Sequence, residues 1–469
     1  MDLMASLVRL PAVPGALAAL LLGVSPLAAQ TGRADPAVLD SIAGAGVRAN
    51  RTVGLVAAVV RGNDTLLMKA YGRANVEWDV PMTVDAMFEV GSIAKQFAAA
   101  AILQLRDAGK LTLEDPITKW LPGLGAGGNG VTLRHLLSHT SGIFPFSEQH
   151  DFEVNMFIPG MPRDSATRLM KLEPFQYRTG TAQAYSNSAF WLLGLVVEKA
   201  SGMTYEAYLE QRIFGPLGMT RSMFCNSALN VAKRAHGYGI QNNVIRRAPM
   251  VQYAWVFAPG ALCSTAGDLV TWLQALHGGK VMSPASYAEM TTPARLADGT
   301  TVRYGLGIKV AEDYRGLLSI GHGGTAPGFR ADAAWYPGAR MAVVVLMNTS
   351  PTNLSPAGVG GALAREVLPW PRPGLASYPG DPAELVGRYE FFAGGNFPGA
   401  VIEVSVTPTG LGFSVNGSPA QPLPWAGELT FYPQENVTLT FRRANGETGP
   451  VTELRRDDPG NHMILRRVP

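Results

Sequence analysis

From Pro369 to Pro382 the chain reads "PWPRPGLASYPGDP", and the text on its two sides is written in different periods. Proline and glycine at that density continue neither a helix nor a central strand, so residues 369–382 are predicted to be a linker. Before it, apolar runs long enough for helices alternate with strand-like segments. After it come only short alternating strands with turn residues between them: "VIEVSVTPTGLGFSVNG", "ELTFYP", "VTLTFRRANGE" and "HMILRRV". The expected organisation is a mixed α/β unit over residues 34–368, followed by a small antiparallel β-barrel or sandwich over 383–469.

Within the first unit, "TVGLVAAVVRG" and "DTLLMKAYG" read as two strands of a hairpin turning at Gly62-Asn63. "KQFAAAAILQLRDAGKL" reads as a long buried helix closed by Gly109, and "AFWLLGLVVEKASG" as a second core helix stopped at Gly202. "STAGDLVTWLQALHGG" is an amphipathic helix with a Ser/Thr cap. Strand signals then follow in "YGLGIKV", "LLSIGHGG", "ADAAWYP" and "MAVVVLMN", before the helical "GALAREVL".

The amino terminus predicts export. Arg9 precedes the apolar run "AVPGALAALLLGV", and "PLAAQ" offers small residues for cleavage near Ala29, so residues 1–29 read as a signal peptide. Prolines at 11, 14 and 26 argue against a stable membrane span, and the expected location is periplasmic or secreted. An oxidising compartment permits a disulfide between Cys225 and Cys263, the only cysteines; two buried small hydrophobes is the other reading. Net charge is +3 with the basic residues scattered, which argues against a nucleic-acid partner.

Three short patterns carry chemistry. Ser92 and Lys95 stand three apart at the head of the Ala-rich helix, so the amine can reach the hydroxyl. Desolvation among "FAAAAIL" lowers the amine towards a usable base, and the helix start favours an oxyanion. Read otherwise, Ser92 is a cap and Lys95 extends to water. Tyr185 and Asn187 alternate around Ser186, so in extended backbone they point the same way; an ordinary turn with Asn187 as helix cap is the other reading. His322-Gly323-Gly324 ends a strand, where glycines let a substrate backbone approach. The second His-Gly-Gly, at His277, follows a helix and reads as its cap.

In that order the three motifs resemble the penicillin-recognising serine hydrolases: class C β-lactamases, low-molecular-weight D,D-peptidases and related esterases. "LLSHTSGI" and "IFGPLGMTRSMF" are similar to that family's phrases, and the resemblance runs from about Leu39 to Leu368. "ELVGRYEF" resembles the opening of the lipocalin-like barrel some members append. The implied fold is α/β (α+β): a central antiparallel sheet flanked by helices, with an all-helical subdomain. The implied activity is hydrolysis of esters or amides through a Ser92 acyl-enzyme, with D,D-carboxypeptidase, β-lactamase or a non-catalytic penicillin- or wall-fragment-binding role as alternatives. Its partners are small ester, peptide or β-lactam substrates.

The resemblance implies that Ser92 is the nucleophile, with neutral Lys95 or a Tyr185 ionised with the lysine's help as base. The N–H groups of Ser92 and Thr325 form the oxyanion hole. Asn187 orients the substrate, His322, Gly323 and Gly324 wall the opposite side, and no metal or organic cofactor is required. Many β-lactamases place lysine where this chain has His322. A mostly neutral histidine predicts weak β-lactam turnover and a preference for esters or D-residue peptides. The insertion from Phe144 to Gly180 is expected to form a lid. No Gly-x-Ser-x-Gly is present, which removes the nucleophile elbow of α/β-hydrolases. His135 and His139 lack the adjacent glutamate of a metalloprotease helix, so a metal site is not expected.

Overall fold

The structure, a computed structural model, describes residues 34–122, 130–146, 163, 175–313, 316–368, 377–395, 399–408, 410–434, 437–446, 448–458 and 461–468. The signal-like start, most of the predicted lid and most of the predicted linker lie outside the described residues.

The hairpin at Gly62-Asn63 forms as expected. Strands β1 (Gly54–Arg61) and β2 (Asp64–Asn75) meet where Gly62 takes a φ of 57°. They join β3 (Val80–Pro81), β4 (Lys309–Glu312), β5 (Leu318–Ala326), β6 (Phe329–Tyr336) and β7 (Met341–Met347) in a seven-stranded sheet of order β3-β2-β1-β7-β6-β5-β4. Every pairing given for β1, β7, β6 and β5 is antiparallel. Central strand β7 is buried on both faces, which is why its text is unbroken apolar rather than alternating. Leu55, Ala57, Val59, Val343 and Val345 pack with Leu39 and Leu363 of helices α1 (Pro36–Arg48) and α5 (Pro356–Val367). Val56, Ala58, Val344 and Leu346 face the larger helical layer.

That layer is built on α2 (Ala94–Asp107), α3 (Asn187–Ser201) and α4 (Ala266–His277). Residues Phe97 to Leu103 of α2 are all buried, and runs of alanine allow neighbours to approach from every side. The tract "YGLGIKV" departs from expectation, since only Lys309–Glu312 is a strand of the sheet. Gly305 donates to the Ile308 carbonyl, and Gly307, at φ 68°, donates to Leu137, so the chain turns instead of extending. Cys225 and Cys263 form a disulfide on the small three-stranded sheet of Phe88–Glu89, Leu262–Ser264 and Met223–Phe224.

After α5 the chain forms a nine-stranded antiparallel sheet that curls into a half-barrel around Tyr389, Ile402, Phe413, Phe431, Phe441 and Leu465. Its edges are the short strands Gln421–Pro422 and Trp425–Gly427, adjacent in sequence but not paired with each other. Among the described residues no helix is long and apolar enough to cross a membrane.

Candidate active site

Ser92 lies in a 3-10 turn, Gly91–Ile93, that feeds directly into α2. The turn packs against β5 backbone to backbone. A β-carbon on Gly324 would stand 1.9 Å from the Val90 carbonyl oxygen and 3.0 Å from the Ser92 amide nitrogen. One on Gly91, whose φ is 52°, would stand 2.7 Å from the Thr325 amide nitrogen. Only glycine fits either position, and the closeness it allows brings the Ser92 and Thr325 amides to one place.

Lys95 does not reach solvent; it is fully buried. Its Nζ lies 2.8 Å from Asn187 Oδ1, 2.9 Å from the Pro259 carbonyl oxygen and 3.0 Å from Ser92 Oγ. Burial holds the amine well below the ordinary lysine range, and the charge of Lys309 adds to the effect. A neutral amine has two hydrogens and one lone pair. Asn187 Oδ1 and the Pro259 carbonyl can only accept, so they take the hydrogens and leave the lone pair to the Ser92 hydroxyl.

Tyr185 stacks beside this amine, its ring centroid 4.7 Å from Lys95 Nζ. Burial pushes its phenol well above the usual tyrosine range, with a hydrogen bond to Ser92 opposing. Burial therefore favours the neutral form of both groups, the free amine of Lys95 and the phenol of Tyr185. The helix cap is Ser186 rather than Asn187: its hydroxyl accepts from the Ala189 N–H, and Asn187 opens α3. His139 fixes the loop from behind. Its Nδ1 accepts from the Ser186 N–H at 3.0 Å, its carbonyl accepts from the Ala184 N–H, and its ring lies 4.3 Å from that of Tyr185. His135 is spent elsewhere, accepting from Thr132 in a helix cap, and His277 stacks on Trp335.

His322 is buried and neutral. Its Nδ1–H donates to the Gly323 carbonyl at 2.5 Å, so its Nε2 accepts from the Tyr304 hydroxyl at 2.9 Å. That tautomer follows from the carbonyl, which can only accept. Burial first, then the charges of Lys309 and Lys95, hold the ring well below the usual histidine range.

Ser92, Tyr185, Asn187, His322, Gly323, Gly324 and Thr325 line one cleft of about 500 Å³, with Lys95 beneath it. The sequence reading did not find its other walls. Lys309 and Asp332 come from the strands on either side of β5, while Asp458 and Asn461 come from the carboxy-terminal half-barrel. Asn461 Oδ1 accepts from the Tyr185 N–H at 3.1 Å, and the His462 N–H donates to the Gln183 carbonyl. The signal at "RRDDPGN" is that of any strand-to-strand turn, so nothing local marks these residues. His139 was within reach, because it sits in the quoted phrase "LLSHTSGI".

A model of the Beta-lactamase family matches residues 39–365, and the chain belongs to that family. It is 30% identical over 306 residues to penicillin-binding protein 4* of Bacillus subtilis (strain 168), covering 61% of this chain and 66% of that one. It is 33% identical over 194 residues to esterase EstB of Burkholderia gladioli, covering 39% of this chain and 49% of the esterase. The matched stretch thus spans no more than about two thirds of these relatives' length. Among solved structures, a D-stereospecific amidohydrolase from Streptomyces sp. superposes with a TM-score of 0.62 at 27% identity, over 70% of this chain and 97% of that one.

Proposed function

We propose that the chain is an exported serine hydrolase that cleaves esters or amides through an acyl-enzyme on Ser92. The observation that carries this reading is the Lys95 amine, buried, neutral and 3.0 Å from Ser92 Oγ with both hydrogens committed elsewhere. The Ser92 hydroxyl gives its proton to Lys95 as its oxygen attacks the carbonyl. The developing oxyanion is met by the Ser92 and Thr325 N–H groups. Tyr185, kept as the phenol, passes its proton to the leaving group and then serves the water that releases the acyl group. Asn187 orients both the amine and the substrate. Esterase and D-stereospecific amidohydrolase relatives support the ester and amide classes.

Burial first, then the charges of Lys309 and Lys95, disfavour the cationic form of His322, and this supports weak β-lactam turnover. The signal-like start and the disulfide support export. The test is hydrolysis of p-nitrophenyl acetate and butyrate by the wild type and by Ser92→Ala. The reading expects turnover by the former and none above background by the latter. Equal rates would end it.

A further inference from the structure

The backbone that carries Tyr185 is held from two sides. Ser186 is extended, at φ −131° and ψ 117°, and in such backbone successive residues turn their N–H and C=O groups to opposite edges. On one edge the N–H groups of Ala184 and Ser186 go to His139, the first to its carbonyl and the second to its Nδ1. On the other edge the groups of Gln183 and Tyr185 go to the half-barrel. The Gln183 carbonyl accepts from the N–H of Gly395 at 2.9 Å and from that of His462 at 3.2 Å, and the Tyr185 N–H donates to Asn461 Oδ1 at 3.1 Å. The half-barrel thus supplies the second edge of the ladder that holds the phenol in the cleft.

Asn461 is itself built into place. It faces Asp458 across the last two strands, Thr448–Asp458 and Asn461–Val468, and both residues line the cleft. Asn461 Nδ2 donates to Asp458 Oδ1 at 3.0 Å, and Asp458 Oδ2 lies 2.7 Å from Arg456 Nη1. A carboxylate can only accept and a backbone N–H can only donate, so these two neighbours together fix which end of the Asn461 amide faces Tyr185. The order Arg456, Asp458, Asn461, Tyr185 is therefore polar in one direction. A reacting group displaced by about 1 Å loses roughly 100-fold in rate, so this chain of contacts matters to a proton transfer far more than to folding.

We propose that Asn461 is a positioning residue for the reaction: acting through the Tyr185 backbone, it sets the phenol where it meets the leaving group, so that the half-barrel completes the active site. The inference rests on the serine hydrolase reading and deepens it, because the group that Asn461 positions is the one that gives the leaving group its proton.

The test compares two acetate esters in the full chain. The leaving group of p-nitrophenyl acetate departs as an anion, whereas that of benzyl acetate needs a proton. In kcat/KM, which reads acylation alone, Asn461→Leu should lose at least about 10-fold more on benzyl acetate than on p-nitrophenyl acetate, a part of the 10²–10⁴ that such a proton transfer is worth. The ratio of the two cancels any loss of folded enzyme. Asn461→Asp sets two carboxylates face to face and should lose the ratio in the same way. Adding Asp458→Asn to it returns an acceptor to the Tyr185 N–H and a donor to the acceptor, and should recover most of the ratio. A ratio unmoved in Asn461→Leu, or a double variant no better than Asn461→Asp, overturns the assignment. Hydrogen exchange at the Tyr185 amide, followed by NMR on nitrogen-labelled tyrosine, keeps the two questions apart. Without Ser92-dependent turnover in the wild type the hydrolase reading fails, yet faster exchange in Asn461→Leu still upholds the hold on Tyr185; unchanged exchange overturns it whatever the esters show.

Discussion

Replacing Asn187 by aspartate puts a charge 2.8 Å from the Lys95 amine with almost no change of shape. At an effective dielectric of about 20, two unit charges at that distance attract by about 6 kcal/mol. Burying the new carboxylate offsets part of this, and half, about 3 kcal/mol, raises the lysine by about 2 pKa units. The sign follows from the site. Burial lowers the Lys95 amine, so the neutral base is present above the lowered value and lost as pH falls through it. Aspartate moves that loss upward. In kcat/KM against pH, which reports the free enzyme's essential base, the acid limb of Asn187→Asp should shift up by about 2 units. At a pH below both limbs the rate should fall by about 100-fold, and it should recover as pH rises above the shifted limb. The helix tolerates the change, because an acidic residue in the first turn of α3 suits the dipole. Parallel profiles at a uniformly lower rate would refute the role given to neutral Lys95.

Gly324→Ala should abolish acylation while leaving the half-barrel folded, because its β-carbon would sit 1.9 Å from the Val90 carbonyl oxygen; acylation rate and circular dichroism check this. Burial pushes the Asp332 carboxyl up to about 7, with Lys309 opposing. The folded state then holds a proton that the unfolded chain releases near pH 4, so wild-type stability falls relative to Asp332→Asn between about pH 4 and 7. The change is at most about 4 kcal/mol, read from urea midpoints at the two pH values. Cys225→Ala opens a link between residues 38 apart in sequence and should cost about 2–4 kcal/mol in thermal or denaturant unfolding. An unchanged midpoint would mean that the disulfide constrains little.

How much of this was legible depended on whether the signal was local. Ser92 and Lys95 stand three apart, so spacing put the amine within reach of the hydroxyl, and the Ala-rich text offered a desolvated amine beside the reading in which Lys95 extends to water; burial decides for the former. The hairpin at Gly62 and the unbroken apolar strand β7 were equally direct. Lys95's third contact was not, because the Pro259 carbonyl comes from a distant backbone and has no side-chain signature. The Tyr185–Asn187 pattern was legible, and the other reading, with Asn187 as cap, failed because Ser186 and Asn187 are both good caps and only His139 on the Ser186 N–H settles which one turns inward. Lys309 and Asp332 read as ordinary strand residues. Their place at the cleft comes from pairing with Gly321 and Gly323 across strands, which no local pattern encodes. Asn461 reaches Tyr185 from 276 residues away, a contact no local pattern encodes.

The central claim is that Ser92 is a nucleophile and Lys95 its neutral base. Mass spectrometry after reaction with a fluorescent phosphonate tests it most directly, on the wild type, Ser92→Ala and Lys95→Met. The account predicts a single label on the peptide containing Ser92, absent in Ser92→Ala and slowed by at least about 100-fold in Lys95→Met. Labelling at another residue, or labelling of Ser92 at the same rate without the lysine, would contradict it.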